Sequence, residues 1–191
     1  MRDIDIRQRL RADERLHCGD PGTRIIEELG LCQGLARVDI AVVNGTIHGY
    51  EIKSEQDTLA RLPGQVEIYN RVLDHVTLVT SPKHADDVFV DIPHWWGLWV
   101  VAPAPAGVHL QVVREATRNP EVNPFSLAQL LWRDEALEVL VGLGRAAGIR
   151  SKSRRQMWER LATELTLEEL GQVVRDRIRG RSSWRAALRP D

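Results

Sequence analysis

The chain has 191 residues, 43% hydrophobic and 28% charged, and its 26 Lys and Arg against 27 Asp and Glu give a formal net charge of −1. That balance fits one globular domain with a real core, or one domain plus a small appendage, and excludes a disordered or fibrous chain. With no apolar run long enough to cross a bilayer and no signal-like apolar stretch in Met1-Arg2-Asp3-Ile4-Asp5, a cytoplasmic protein without membrane partners is expected.

In chain order, a short helix is predicted over about 4–16. Asp20-Pro21 then supplies an N-cap and a first-turn proline for a second helix containing Thr23-Arg24-Ile25-Ile26-Glu27-Glu28-Leu29. Its buried face would hold Ile25, Ile26 and Leu29, with Glu28 near the edge of that face and Glu27 nearly opposite. The two cysteines, Cys18 and Cys32, are too few for zinc and no disulfide is expected; the six histidines form no pair at metal-ligand spacing.

From Arg37 to Lys53 the chain reads as a β-hairpin. Asn44-Gly45 tolerate the positive φ angles of a two-residue type I′ turn, and the flanking runs are rich in Val, Ile and Tyr. Alternation along the strand puts Glu51 and Lys53 on one face, and Asp39 on the partner strand is placed to meet them. The plain reading is an ion pair in a sheet. The pattern is more specific, however: an Asp ending one apolar strand, then Glu-x-Lys across a hairpin, suits metal-dependent phosphodiester chemistry. Mg²⁺ takes one or two carboxylates and keeps several waters, and a lysine can orient a water or balance developing charge.

A further helix is predicted to begin near Pro63 and to carry Gln65 and Tyr69 on one face, with Asp57 as a cap. Val76–Thr80, Gly97–Val101 and Val108–Val113 read as strands, with Pro82-Lys83 opening a short helix after the first. Beyond Asn119-Pro120 and Asn123-Pro124 the chain turns helical. Helices are predicted over 126–143 with Ser126 as N-cap, over 153–165, and over 166–178 behind the capping box Thr166-Leu167-Glu168-Glu169. Most of the six tryptophans are expected in the core. From Arg145 onward twelve basic residues face six acids, so this part carries about +6 and the remainder about −7. A basic region beside an acidic one suits phosphate binding by the former and metal binding by the latter.

Asp39 followed on the next strand by Glu51-Ile52-Lys53 resembles the hallmark of the PD-(D/E)XK nuclease superfamily, with Val38 where the name has proline. Gln65-Val66-Glu67-Ile68-Tyr69 is similar to the Gln-x3-Tyr pattern of its RecB-like branch, and Glu51 to Ser54 with Asp57-Thr58-Leu59 and Arg61-Leu62 looks like a small uncharacterised bacterial nuclease-like family. The resemblance covers about residues 20–80. It implies an α/β fold: a restriction-endonuclease-like αβββαβ core with a mixed central sheet over 1–117, and a basic C-terminal helical region over 118–191. It also implies a Mg²⁺- or Mn²⁺-dependent nuclease with nucleic acid as partner, DNA in preference to RNA, a choice that the sequence itself leaves open. In that reading Asp39, Glu51 and the Ile52 carbonyl hold metal. Glu28 (with Glu27 as the alternative) holds a metal-bound water. Lys53 positions or deprotonates the attacking water, and Gln65 supports it. Arg61, Tyr69, Arg154 and Arg155 contact nucleic acid. DNA repair, a mobile element or phage defence are the contexts implied, and a homodimer is admitted. Two other classes are carried alongside: a catalytically silent nucleic-acid-binding module, and a protein-interaction domain without metal affinity. Only two strands are legible before the Gln65 helix, where the family core has three.

Overall fold

The computed structural model describes residues 3–17, 22–105 and 107–181, and the account below concerns these residues. The β-branched and apolar runs pair into a six-stranded sheet. Its strands are β1 (Arg24–Leu31), β2 (Ala36–Val43), β3 (Ile47–Lys53), β4 (His75–Thr80), β5 (Gly97–Ala104) and β6 (Gly107–Arg114), ordered in space as in sequence. The first three run antiparallel, β3, β4 and β5 are mutually parallel, and β6 returns antiparallel. Helices α1 (Asp3–Arg11) and α2 (Glu14–His17) precede the sheet, α3 (Leu62–Asn70) links β3 to β4, and α4 (Ala85–Asp91) links β4 to β5. Then come α5 (Pro124–Ala128), α6 (Arg133–Gly142), α7 (Arg154–Glu164) and α8 (Leu167–Gly180). The protein is thus a mixed α/β fold with C-terminal helices, and α1 through β4 contain the order αβββαβ.

Two apolar layers sandwich the sheet. Ile6, Leu10 and Leu16 cover one face, against Ile40, Val42, Tyr50, Ile52, Val79 and Trp99. The other face carries α3 through Ile68 and Tyr69, together with the C-terminal helices through Leu127, Trp158, Leu170 and Val174. The region after residue 117 therefore shares one core with the sheet. Trp95, Trp96, Trp99 and Trp158 are buried, as expected of most tryptophans; Trp132 is partly exposed beneath the Arg181 guanidinium. Trp184, Cys18 and the Asp20-Pro21 cap lie outside the described residues. Among the described residues no helix is long and apolar enough to cross a membrane.

Four local expectations are corrected. The helix predicted around Thr23–Leu29 is instead strand β1, which supplies the missing third strand. Its side chains deceive because Glu28 has φ of +56°. Pairing passes from Glu27 opposite Ile40 to Leu29 opposite Val38, skipping Glu28 and Asp39, and the alternation of faces slips by one. Ile26 and Leu29, three apart, thus share a core as they would on a helix. The hairpin is real, but its loop is Asn44-Gly45-Thr46 with neither Asn44 nor Gly45 at positive φ. The Asn44 side chain accepts from the Thr46 N–H at 3.1 Å, an Asx turn in place of type I′. The N-terminal helix breaks at Ala12-Asp13. The helix predicted over 126–143 is two: Asn123, not Ser126, caps α5, and Glu135 accepts from the Trp132 N–H to start α6. By contrast Ser153 and Thr166 cap α7 and α8 through capping boxes, the latter as predicted.

Candidate functional site

The ladder between β2 and β3 extends only from Val43–Ile47 to Ile40–Tyr50, whereas β1 stays paired with β2 as far as Ala36. Past Ile40 the strands β2 and β3 therefore diverge, and the Asp39 side chain replaces the lost backbone partner: its Oδ2 accepts from the Ile52 N–H at 2.7 Å. The gap opens into a cleft of about 870 Å³ walled by Glu28, Asp39 and Glu51 on the sheet, Gln65 and Ile68 on α3, and the turn Gly34-Leu35. Asp39 and Glu51 thus share one cleft, as the hairpin register predicts.

Behind that wall lies a closed polar network. Lys53 Nζ donates to Glu51 Oε1 at 2.7 Å and to Gln65 Oε1 at 2.9 Å, and Gln65 Nε2 donates to Glu51 Oε1 at 2.5 Å. The Tyr69 hydroxyl lies 2.6 Å from Glu51 Oε2 and 2.7 Å from the Arg37 carbonyl, so its one proton serves one of the two at a time. Gln65 and Tyr69 meet Glu51 together because four residues on α3 put them on one face. Glu51 and Lys53 are only 2% and 3% exposed. Charges buried this deeply persist only when paired and hydrogen-bonded, as these are.

Two sequence expectations change here. Tyr69 is fully buried, so it cannot meet a nucleic-acid backbone; it stacks on Trp96 and serves Glu51 instead. Lys53 does not line the cleft, and it reaches the cleft only through Glu51 and Gln65. Glu28 does reach the cleft, from a strand rather than a helix, and Glu27 pairs with Arg11 outside it. Asp57 accepts from the Ser54 N–H and hydroxyl, holding the turn after β3.

Sequence reasoning missed Arg7. Its Nη2 donates to Asp39 Oδ1 at 2.6 Å and to Glu28 Oε1 at 2.9 Å, and its Nε to Asp3 Oδ2 at 2.6 Å. The only sequence signal was Asp3 four residues before Arg7 on one helix. The three carboxylates hold the guanidinium firmly protonated despite its burial. Asp39 is pushed up to about 7, by burial first and the Glu51 charge second, while the Ile52 N–H and Arg7 oppose the rise. Two hard carboxylates repelling one another across a cleft are a donor set that a divalent cation relieves, and that set fits Mg²⁺ or Mn²⁺. Among the described residues no three His, Cys, Asp or Glu side chains are arranged to hold a metal, so the protein's share would be these two carboxylates.

Exposed cations rim the cleft: Arg37, Arg61 and Arg71 line it. Arg154 approaches the neighbouring turn through Gln33 at 3.4 Å. Arg155 instead pairs with Glu159 and lies over Phe125. Much of the C-terminal basic charge is likewise engaged internally, through Arg145 and Arg160 with Glu164, Arg177 with Glu138 and Arg181 with Glu135. Arg185 and Arg189 lie outside the described residues.

Fold and cleft thus define a mixed-sheet α/β protein with a buried acid–lysine network at the point where two strands part. A family model of bacteriophage P4 protein cII matches residues 14–188, and the chain belongs to that family. Protein cII of Enterobacteria phage P4 is 27% identical over 157 residues, which cover 82% of this chain and 59% of that relative. The chain therefore spans less than two thirds of that relative's length. A solved protein of unknown function from Silicibacter pomeroyi is 21% identical, with a TM-score of 0.42 over 73% of this chain and 88% of that one.

Proposed function

We propose that this chain is a divalent-metal-dependent nuclease hydrolysing phosphodiester bonds in DNA, in the manner of the PD-(D/E)XK enzymes it resembles. One observation carries the reading: Glu51 and Gln65 line the cleft that Asp39 enters from the diverging strand, and Lys53 bonds to both from behind the wall. Asp39 and Glu51 would hold Mg²⁺ or Mn²⁺, with the Ile52 carbonyl beside them and Glu28 placed to hold a metal-bound water. When bound, such an ion polarises a phosphoryl oxygen and acidifies a water. The protein's own groups set the geometry. Lys53 fixes Glu51 Oε1 and Gln65 Oε1, Tyr69 fixes Glu51 Oε2, and the Ile52 N–H fixes Asp39 Oδ2, so each carboxylate keeps its aim. Lys53 is thus a positioning residue that acts through its partners. Arg37, Arg61 and Arg71 supply a cationic rim for the phosphate backbone. Membership of a phage protein family supports a mobile-element setting, with DNA as partner and a cytoplasmic location; homodimerisation is open to test.

The test is Mg²⁺- and Mn²⁺-dependent cleavage of supercoiled plasmid and of single-stranded DNA, with Asp39→Asn and Glu51→Gln as controls. Metal-dependent cleavage lost in both variants supports the proposal; wild-type protein that binds DNA and never cleaves it refutes it. A second reading, a catalytically silent nucleic-acid-binding module, is favoured by one fact: Arg7 already neutralises Asp39 and Glu28.

A further inference from the structure

Helix α1 lies on the sheet face opposite α3, with Ile6 and Leu10 buried in that second core. One of its side chains, Arg7, nevertheless bonds to two carboxylates that line the cleft, Asp39 and Glu28. The two carboxylates sit where the β1–β2 pairing is interrupted, at Glu28 and Asp39, and Arg7 meets them there with its side chain only 15% exposed. Besides its bonds to the two carboxylates, Nη1 donates to the Asp39 carbonyl at 3.2 Å, so the guanidinium grips both the side chain and the backbone of that residue.

We infer that Arg7 is a tethered cation guarding the acidic subsite: it bridges Asp39 and Glu28, and a divalent ion enters only as Arg7 withdraws. This rests on the reading that the cleft takes Mg²⁺ or Mn²⁺. With Oδ2 held by the Ile52 N–H, the ion and the guanidinium would compete for Asp39 Oδ1. A metal–oxygen bond of about 2.0–2.1 Å excludes a guanidinium donating to the same oxygen in the same direction. Withdrawal leaves the acid in place, because Asp39 Oδ2 stays bonded to the Ile52 N–H on β3. Asp3 does not line the cleft; by holding the Arg7 Nε it sets how firmly the guard is moored.

Mn²⁺ binding followed by the loss of the free-ion electron paramagnetic resonance signal tests this without recourse to activity. It is measured on the full chain and on its Arg7→Gln and Asp3→Asn variants, with folding checked by circular dichroism. Arg7→Gln should tighten Mn²⁺ binding by about tenfold or more, the factor expected on removing a competing charged hydrogen bond. Asp3→Asn should tighten it by a smaller factor. Wild-type binding that Arg7→Gln leaves unchanged or weakens overturns the guard and leaves the nuclease reading standing. Mn²⁺ that binds to no variant overturns both. Should Arg7→Gln fail to fold, Asp3→Asn decides: unaltered affinity in that folded variant refutes the inference.

Discussion

Lys53→Met isolates what the buried ammonium does for the site. Lys53 is 3% exposed, with Nζ at 2.7 Å from Glu51 Oε1 and 2.9 Å from Gln65 Oε1. Methionine keeps the length and most of the apolar volume, so the change removes chiefly charge and hydrogen bonds. Breaking one side of a buried ion pair costs about 3–5 kcal/mol, because the survivor is left uncompensated. Here Gln65 Nε2 and the Tyr69 hydroxyl still donate to Glu51, which puts the loss at the lower end, about 3 kcal/mol. A domain with about 5–15 kcal/mol of stability survives that loss. Urea unfolding read by tryptophan fluorescence should show a midpoint lower by about 1.5 M, taking a slope of about 2 kcal/mol per molar. Adding Glu51→Gln removes the orphaned charge, and the new amide can donate to Gln65 Oε1. The double variant should therefore recover about 1 kcal/mol or more over Lys53→Met. A midpoint that hardly moves in Lys53→Met, or strictly additive losses in the double variant, would refute the reasoning.

Gly49→Ala should destabilise by about 1–3 kcal/mol without changing the circular dichroism spectrum, since a new Cβ would meet Leu73 Cδ1 at 2.6 Å and Val38 Cγ2 at 3.1 Å. His48 is held down to about 3 by burial and then by the His75 charge, so the unfolded chain, near the ordinary value of 6.5, takes up the proton first as pH falls. Its contribution is whole above about pH 7, and by pH 5 stability drops by at most about 2 kcal/mol. The urea midpoint of His48→Gln should fall less between those pH values, and an equal fall assigns the acid sensitivity elsewhere. For duplex DNA, the joint variant Arg37→Ala with Arg61→Ala should flatten the slope of log affinity against log salt by about 0.9 per lost phosphate contact. Arg155→Ala, removing a side chain that pairs with Glu159 and does not line the cleft, should leave that slope alone; the reverse outcome would move the binding surface to α7.

Elements specified by neighbours in sequence were legible in it. The Asn44-Gly45 hairpin, the shared face of Gln65 and Tyr69, the apolar runs of strands β4 to β6 and the Thr166 capping box each show within a short run of residues. Strand β1 was not legible, because a single positive-φ residue, Glu28, gives a strand the apolar spacing of a helix. Arg7 was hidden for a different reason: Glu28 and Asp39 lie 21 and 32 residues away, so no local pattern joins them. For Lys53, a shared face with Glu51 was visible in its spacing, but its depth was not, and neither the depth of Tyr69 nor its bond to Glu51 was visible. Burial depends on how α3 and the C-terminal helices close over the sheet, which no single segment encodes.

The kink at Glu28 has a second consequence, for solubility. Strand β1 forms one margin of the sheet, where a straight, evenly pleated strand would offer its unpaired amides and carbonyls to another chain. A left-handed residue midway, Glu28, makes that margin a poor template for strand addition. The backbone irregularity at which an arginine meets Glu28 and Asp39 also denies a neighbouring molecule a continuous row of partners. Smoothing β1 to tidy its geometry would therefore remove a barrier to aggregation.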